Sequence, residues 1–187
     1  MEPFFYHLQQ RYCLSDLAIK ELVILFKPVT VKKKEIFVQP GLNERYVFFV
    51  CTGLTRAFLT REEKNYTAFF SFENEMLDAS PISTGKTTQS ISCEAVEDSL
   101  LYRAPKLALE NLFQTSLELS NWNRKLLEER IAYFNNYFLN YFYEEKSVQY
   151  KKFLEEYPQL IQRVSLKDLA TYLNVTPQSL SRIRAEI

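Results

Sequence analysis

The stretch SLKDLATYLNVTPQSLSRIRAEI, residues 165–187, sets the reading of the whole chain. Ser165 followed three residues later by Asp168 is a capping-box pattern, and Leu166, Leu169, Ala170 and Leu173 then recur on one helical face. Asn174 comes next, a residue that tolerates the left-handed backbone needed for a tight turn between helices. Thr176 can cap a second helix with Pro177 at its first position, where a missing N–H costs nothing. Val175, Leu180 and Ile183 supply an inner face, and small Ala170 allows close approach of the two helices. Gln178, Ser179, Ser181 and Arg182 then point outward: an amide, two hydroxyls and a guanidinium, groups that hydrogen-bond base edges and phosphates. Cap, turn, small residue and polar outer face fall in helix-turn-helix order.

Upstream the texture changes twice. Residues 1–27 carry Phe5, Leu8, Leu17, Leu22, Leu25 and Phe26 at helical spacing, broken near Ser15 and Asp16, which predicts two short helices. From Val29 to about Tyr102 come short β-branched and aromatic runs: EIFVQPG, RYVFFVCTG, LTRAFLT, NYTAFFSFE, SISCEAV and SLLYR. Turn signals at Pro40-Gly41, Thr52-Gly53, the charged REEK at 61–64 and the polar SPISTGKTT separate them, which predicts an antiparallel sandwich or barrel of the jelly-roll kind. Pro105 then opens a long helical tract. Within it Leu127, Ile131, Phe134, Phe138 and Tyr141 fall in a 4-3-4-3 rhythm, the spacing of a coiled-coil seam. Tyr133, Tyr137, Leu139 and Phe142 widen the stripe, as packing within one chain also would; the expectation is a parallel homodimer. Residues 147–158 read as a further helix ended by Pro158.

Composition removes several chemistries. The chain has 187 residues, 23 basic against 23 acidic, so any pull on nucleic acid must be local. From Arg163 onward Arg163, Lys167, Arg182 and Arg184 stand against Asp168 and Glu186, a balance of +2. One histidine, His7, and three scattered cysteines, Cys13, Cys51 and Cys93, offer no metal or iron–sulfur set, and reduced, buried thiols are expected. A cupin-type enzyme would need histidines on its strands, so no catalytic residues and no metal site are expected. No apolar run approaches a membrane span and the N-terminus does not read as a signal peptide, so the expectation is a cytoplasmic protein without membrane partners.

The order β-roll, long helix, helix-turn-helix resembles the Crp/Fnr family of transcriptional regulators, the cyclic-AMP receptor protein and the fumarate and nitrate reduction regulator among them. LKDLATYLNVTPQSLSRIR resembles the short members common in the Bacteroidetes, and EIFVQPG, YVFFVCTGLTRAF and AVEDSLLY resemble their sensor roll. The resemblance implies an α+β chain: an N-terminal cyclic-nucleotide-binding-like roll at 1–115, a dimerisation helix at 116–145 and a DNA-binding helix-turn-helix at 146–187. It implies a homodimer on double-stranded DNA, with RNA polymerase as a further partner. Gln178, Ser179 and Arg182 would read bases and Ser181 would face phosphate, with Thr176 completing the set.

Two departures qualify what is carried over. Cyclic-nucleotide binders of this family place Gly-Glu before a short helix and arginine followed by a small hydroxyl residue after it. Here Asp78-Ala79 and Gln89-Ser90 stand in those places of the effector pocket, and there is no arginine between Arg61 and Arg103. Without a bidentate cation for the phosphate a cyclic nucleotide is not the expected effector, no cofactor is assigned, and the effector is open. The chain also stops at Ile187, before the wing that other members carry, so weak or salt-sensitive DNA binding leaning on dimerisation is expected. A small-ligand sensor or interaction module that keeps this architecture without strong sequence-specific DNA binding is the alternative reading.

Overall fold

A computed structural model describes residues 3–43, 45–78, 82–83, 88–89 and 91–186, without the side chains at 78, 82–83, 88–89 and 141–142. The chain forms two compact units: Met1–Ala57 with Phe70–Leu126, and Phe58–Phe69 with Leu127–Ile187.

In the first unit α1 (Pro3–Tyr12) and α2 (Asp16–Leu25) are followed by strands β1 (Lys27–Val31), β2 (Ile36–Val38) and β3 (Tyr46–Thr52). Strands β4 (Thr55–Arg61) and β5 (Lys64–Ser71) form a hairpin whose far end belongs to the second unit. Then come β6 (Met76–Asp78), β7 (Ile82–Ser83), β8 (Thr88–Gln89), β9 (Ser92–Ala95) and β10 (Ser99–Pro105). They make two four-stranded sheets, ordered β1-β10-β3-β6 and β2-β9-β4-β5, with β7-β8 as a separate pair. The jelly-roll expectation is met.

Strand β3 explains why the run YVFFVC is apolar throughout: both of its faces are covered. Phe48 meets Phe37 of the other sheet with ring centroids 5.2 Å apart. On the opposite face Phe49 lies 5.2 Å from Phe4, 5.3 Å from Phe26 and 6.1 Å from the stacked ring of Trp122. Phe4, Phe48 and Phe49 are fully buried, each contributing about 2–3 kcal/mol of apolar burial. Ser15 caps α2 by accepting from the Ala18 amide at 3.2 Å, and its own N–H and hydroxyl donate to the Glu118 carboxylate at 2.6 and 2.7 Å. Between β3 and β4 the turn needs Gly53: its φ is +98°, and a Cβ there would fall 2.2 Å from the Ser99 hydroxyl.

Two expectations change in detail. The helical tract after Pro105 is two helices, α3 (Lys106–Thr115) and α4 (Leu117–Tyr143), because Ser116 is extended, with φ −118° and ψ 107°. Its hydroxyl accepts from the Leu119 amide at 3.4 Å and so starts α4 afresh. Of the three thiols only Cys93 is buried; Cys13 is exposed and Cys51 half-buried, and none is in a disulfide.

The β4–β5 turn uses two residues, Glu62 and Glu63, with φ +48° and +62°. Both are left-handed, the backbone pattern of a type I′ hairpin, which suits Asn-Gly far better than two glutamates. Replacing Glu62 by Asn together with Glu63 by Gly should therefore raise the thermal midpoint by about 2–4 °C. An unchanged or lowered midpoint in a calorimetric scan would show that the turn carries no such strain.

Candidate nucleic-acid interface

The second unit contains α5 (Lys146–Glu156), α6 (Leu160–Arg163), α7 (Leu166–Tyr172) and α8 (Pro177–Ala185). The break between α5 and α6 falls at Tyr157 and Pro158, where the sequence predicted it. Ser165 caps α7, its hydroxyl accepting from the Asp168 amide at 3.1 Å and donating to the Asp168 carboxylate at 2.6 Å. The carboxylate thus completes the capping pattern by holding the capping hydroxyl itself.

The turn after α7 is a Schellman motif. Val175 N–H donates to Ala170 O at 2.9 Å and Asn174 N–H to Thr171 O at 3.2 Å, with Asn174 left-handed at φ +53°. This satisfies the last carbonyls of α7 and redirects the chain at once. Thr176 then caps α8, accepting from the Ser179 amide at 3.1 Å, with Pro177 at the first helical position. Ala170 and Leu180 have no exposed surface, and Leu169, Leu173 and Leu160 are buried around them. With Leu180 inside, Gln178, Ser179, Ser181 and Arg182 are all exposed, and Ile183 is half-buried. Ser179 is less independent than its exposure suggests, since its hydroxyl pairs with that of Thr176 at 2.9 Å. Arg182 and Arg184 lie in the last turn of α8, where cations complement the helix dipole and where they add positive charge to the exposed face.

What holds α7 comes from elements distant in sequence. Its Tyr172 is buried, with its hydroxyl 3.1 Å from that of Tyr133, its carbonyl accepting from the Tyr137 hydroxyl at 3.1 Å, and its ring 5.3 Å from Tyr137 and 5.2 Å from Phe153. Thr171 bonds the side chain and backbone of Thr67 on β5 at 2.8 and 3.3 Å. The only prior hint was the width of the aromatic stripe on α4. Tyr133 and Tyr137 belong to a second face of α4, the one that meets α7. The other face carries Leu127, Ile131, Phe134 and Phe138, which remain 46%, 59%, 39% and 60% exposed, beside Leu139 at 54%. Tyr141, the last expected seam residue, lies on α4 with its side chain outside the described residues. Gln149 ends this helix by donating to the carbonyls of Asn140 and Glu144 at 3.0 and 2.8 Å.

Of the expected effector-pocket residues, Asp78 pairs with Val47 across β6–β3 and Gln89 with Ile82 across β8–β7. Ala79 and Ser90 lie outside the described residues. Among the described residues no group of histidine, cysteine and carboxylate side chains is placed to hold a metal. No helix among the described residues is long and apolar enough to cross a membrane.

No protein-family model matches the sequence, and no curated protein matches it. Solved structures do match. FixK2 from Bradyrhizobium japonicum superposes with a TM-score of 0.73 at 16% identity, covering 87% of this chain and 84% of that one. A transcriptional regulator assigned to the crp/fnr family from Eubacterium rectale gives 0.69 at 16% identity, over 91% of this chain and 82% of that one. CLP, a c-di-GMP-responsive global regulator from Xanthomonas campestris, gives 0.71 at 13% identity, over 92% and 91%. The chain shares the fold of these structures: antiparallel roll, long helix and C-terminal helix-turn-helix.

Burial pushes the Tyr172 phenol well above its ordinary value of 10.0, and the neighbouring Tyr133, Tyr137 and Tyr157 add to the shift. A group held protonated by folding contributes fully below its unfolded pKa and loses that contribution as pH rises past it. Stability should therefore fall above about pH 10, and Tyr172→Phe should flatten that loss while costing about 1 kcal/mol at neutral pH through the Tyr133 hydrogen bond. Urea titrations of both proteins at about pH 8 and about pH 11 measure this, and parallel alkaline losses would remove Tyr172 as the cause.

Proposed function

We propose that a chain with this fold is a homodimeric, cytoplasmic DNA-binding transcriptional regulator whose roll no longer takes cyclic AMP. One observation carries the reading: the Asn174 turn and the Thr176 cap bury Leu180 and leave Gln178, Ser181 and Arg182 free on the outer face of α8. A helix with that polarity fits a major groove, Gln178, Ser179 and Arg182 reaching base edges, Ser181 facing phosphate, and Thr176 setting the entry angle. RNA polymerase is the further partner this reading admits. It has no catalytic step.

In this reading residues 1–115 sense, 116–145 pair the subunits and 146–187 bind DNA. The seam is supported by the exposure of Leu127, Ile131, Phe134 and Phe138 at heptad spacing, an apolar stripe costly to leave in water and matched by a second copy of itself. The loss of cyclic-AMP binding rests on the missing arginine at Gln89-Ser90. The buried guanidinium of Arg56 on β4 supports it, since it is held by Glu94 at 3.1 Å. The similarity to a c-di-GMP-responsive regulator makes cyclic dinucleotides a first class of effector to screen, by thermal shift, beside small acids.

Arg182→Ala should lower affinity for a preferred duplex about 10- to 100-fold while leaving affinity for random duplex nearly unchanged. Mobility-shift titrations measure both, and a wild-type protein that prefers no sequence over random duplex at low salt would end the regulator reading. Ile131→Glu places like charges at a central seam position and should yield monomers, weakening DNA binding by about 100-fold or more. A light-scattering mass that stays dimeric in this variant would reject the seam.

A further inference from the structure

Strand β5 is the edge of its sheet among the described residues, so its outward N–H groups need partners from outside the ladder. One of them, on Thr67, finds its partner on the helix-turn-helix: it donates to the Thr171 hydroxyl oxygen at 3.3 Å. The Thr171 hydroxyl has a single proton, and that proton goes to the Asp168 carbonyl at 2.8 Å. The 2.8 Å contact between the two threonine hydroxyls is therefore donated by Thr67. The Thr171 oxygen, with one bond given and two received, is saturated. Thr67 is buried and Thr171 half-buried, so water has limited access to these bonds.

The position of this pair gives it consequence. Thr171 lies in the last turn of α7, and its carbonyl is one of the two acceptors of the Schellman turn that aims α8. The other acceptor, Ala170, is the preceding residue. Phe69, two residues along β5 and on the same face as Thr67, packs on Phe134 at 6.0 Å with Arg130 above its ring at 4.9 Å, which pins the strand to α4. The same face of the hairpin end is thus packed on α4 and bonded to the turn-proximal end of α7.

We propose that Thr67 is a positioning residue for the DNA-reading head: its hydroxyl and amide, saturating Thr171, fix the end of α7 from which the Asn174 turn and the recognition helix α8 set out. This rests on the regulator reading for its effect on DNA but not for its effect on the head itself. Thr67→Val keeps the shape of the side chain and removes the donor; Thr67→Ser keeps the donor. Amide hydrogen exchange on the full-length free protein should show α7 and α8 exchanging about tenfold faster in Thr67→Val, with Thr67→Ser like wild type. The ratio of affinities for a duplex selected by the wild-type protein and for random duplex should fall about tenfold in Thr67→Val alone, the dimer mass being unchanged. Thr171→Val, acting from the helix side, should reproduce the faster exchange. Wild-type exchange in Thr67→Val, or a Thr67→Ser variant as impaired as Thr67→Val, would overturn the proposal. If the wild-type protein selects no duplex, the regulator reading fails, and the exchange comparison still decides the role of Thr67.

Discussion

The segment of α4 from Leu127 onward presents two different sides with one periodicity. A straight helix advances about 100° per residue, so residues at 3-4 spacing share a side and those one position earlier lie about 100° round from it. Leu127, Ile131, Phe134 and Phe138 use the first side, and Tyr133 and Tyr137 use the second. The two sides differ in chemistry. The side facing α7 uses tyrosines, which bury their rings and still give each hydroxyl a partner, Tyr172 O for Tyr137 and the Tyr172 hydroxyl for Tyr133. The other side is aliphatic and phenylalanine-rich, with Leu127, Ile131 and Phe138 substantially exposed in the single chain.

Polar saturation explains the remaining geometry of the second unit. Its helices are short, and α6 and α7 span only 4 and 7 residues. Short helices are marginal alone, so each end must find partners beyond its own ladder. Ser165 and Thr176 supply them at the starts of α7 and α8, the Schellman turn supplies them at the end of α7, and Gln149 supplies them at the end of α4. The Thr67–Thr171 pair has the same logic, joining an edge-strand amide to a helix hydroxyl in one saturated set. Each of these contacts restricts where the outer face of α8 can point.

What could be read in advance follows from how local each signal is. The caps at Ser15, Ser165 and Thr176 and the left-handed Asn174 depend on residues within five positions, and all are where the sequence put them. The alternation of short apolar runs identified the strands because sheet faces repeat every second residue. The break at Ser116 was hidden because neither neighbour is glycine or proline; what starts α4 afresh is the Ser116 hydroxyl itself. The Thr67–Thr171 pair was hidden for a different reason: 104 positions separate the two residues, and neither has a sequence context that marks it. The candidate DNA face was legible to the level of which side chains point outward, though not that Ser179 shares its hydroxyl with the cap.

The neutral charge of the chain constrains how such a face can work. With 23 basic and 23 acidic residues there is no long-range field to hold the protein on DNA, and non-specific affinity scales with the phosphates neutralised. From α6 to α8 the cations are Arg163, Lys167, Arg182 and Arg184, and the last two also serve the dipole of α8. Four cations neutralise few phosphates, so in the proposed function any sequence preference would have to come from hydrogen bonds of fixed direction, and those are only as selective as the helix carrying them is well placed. A weakly charged reader therefore depends on rigidity more than a strongly basic one does. The density of saturated contacts at α7, from Tyr172 on one side and Thr171 on the other, is rigidity of the kind the proposed function requires.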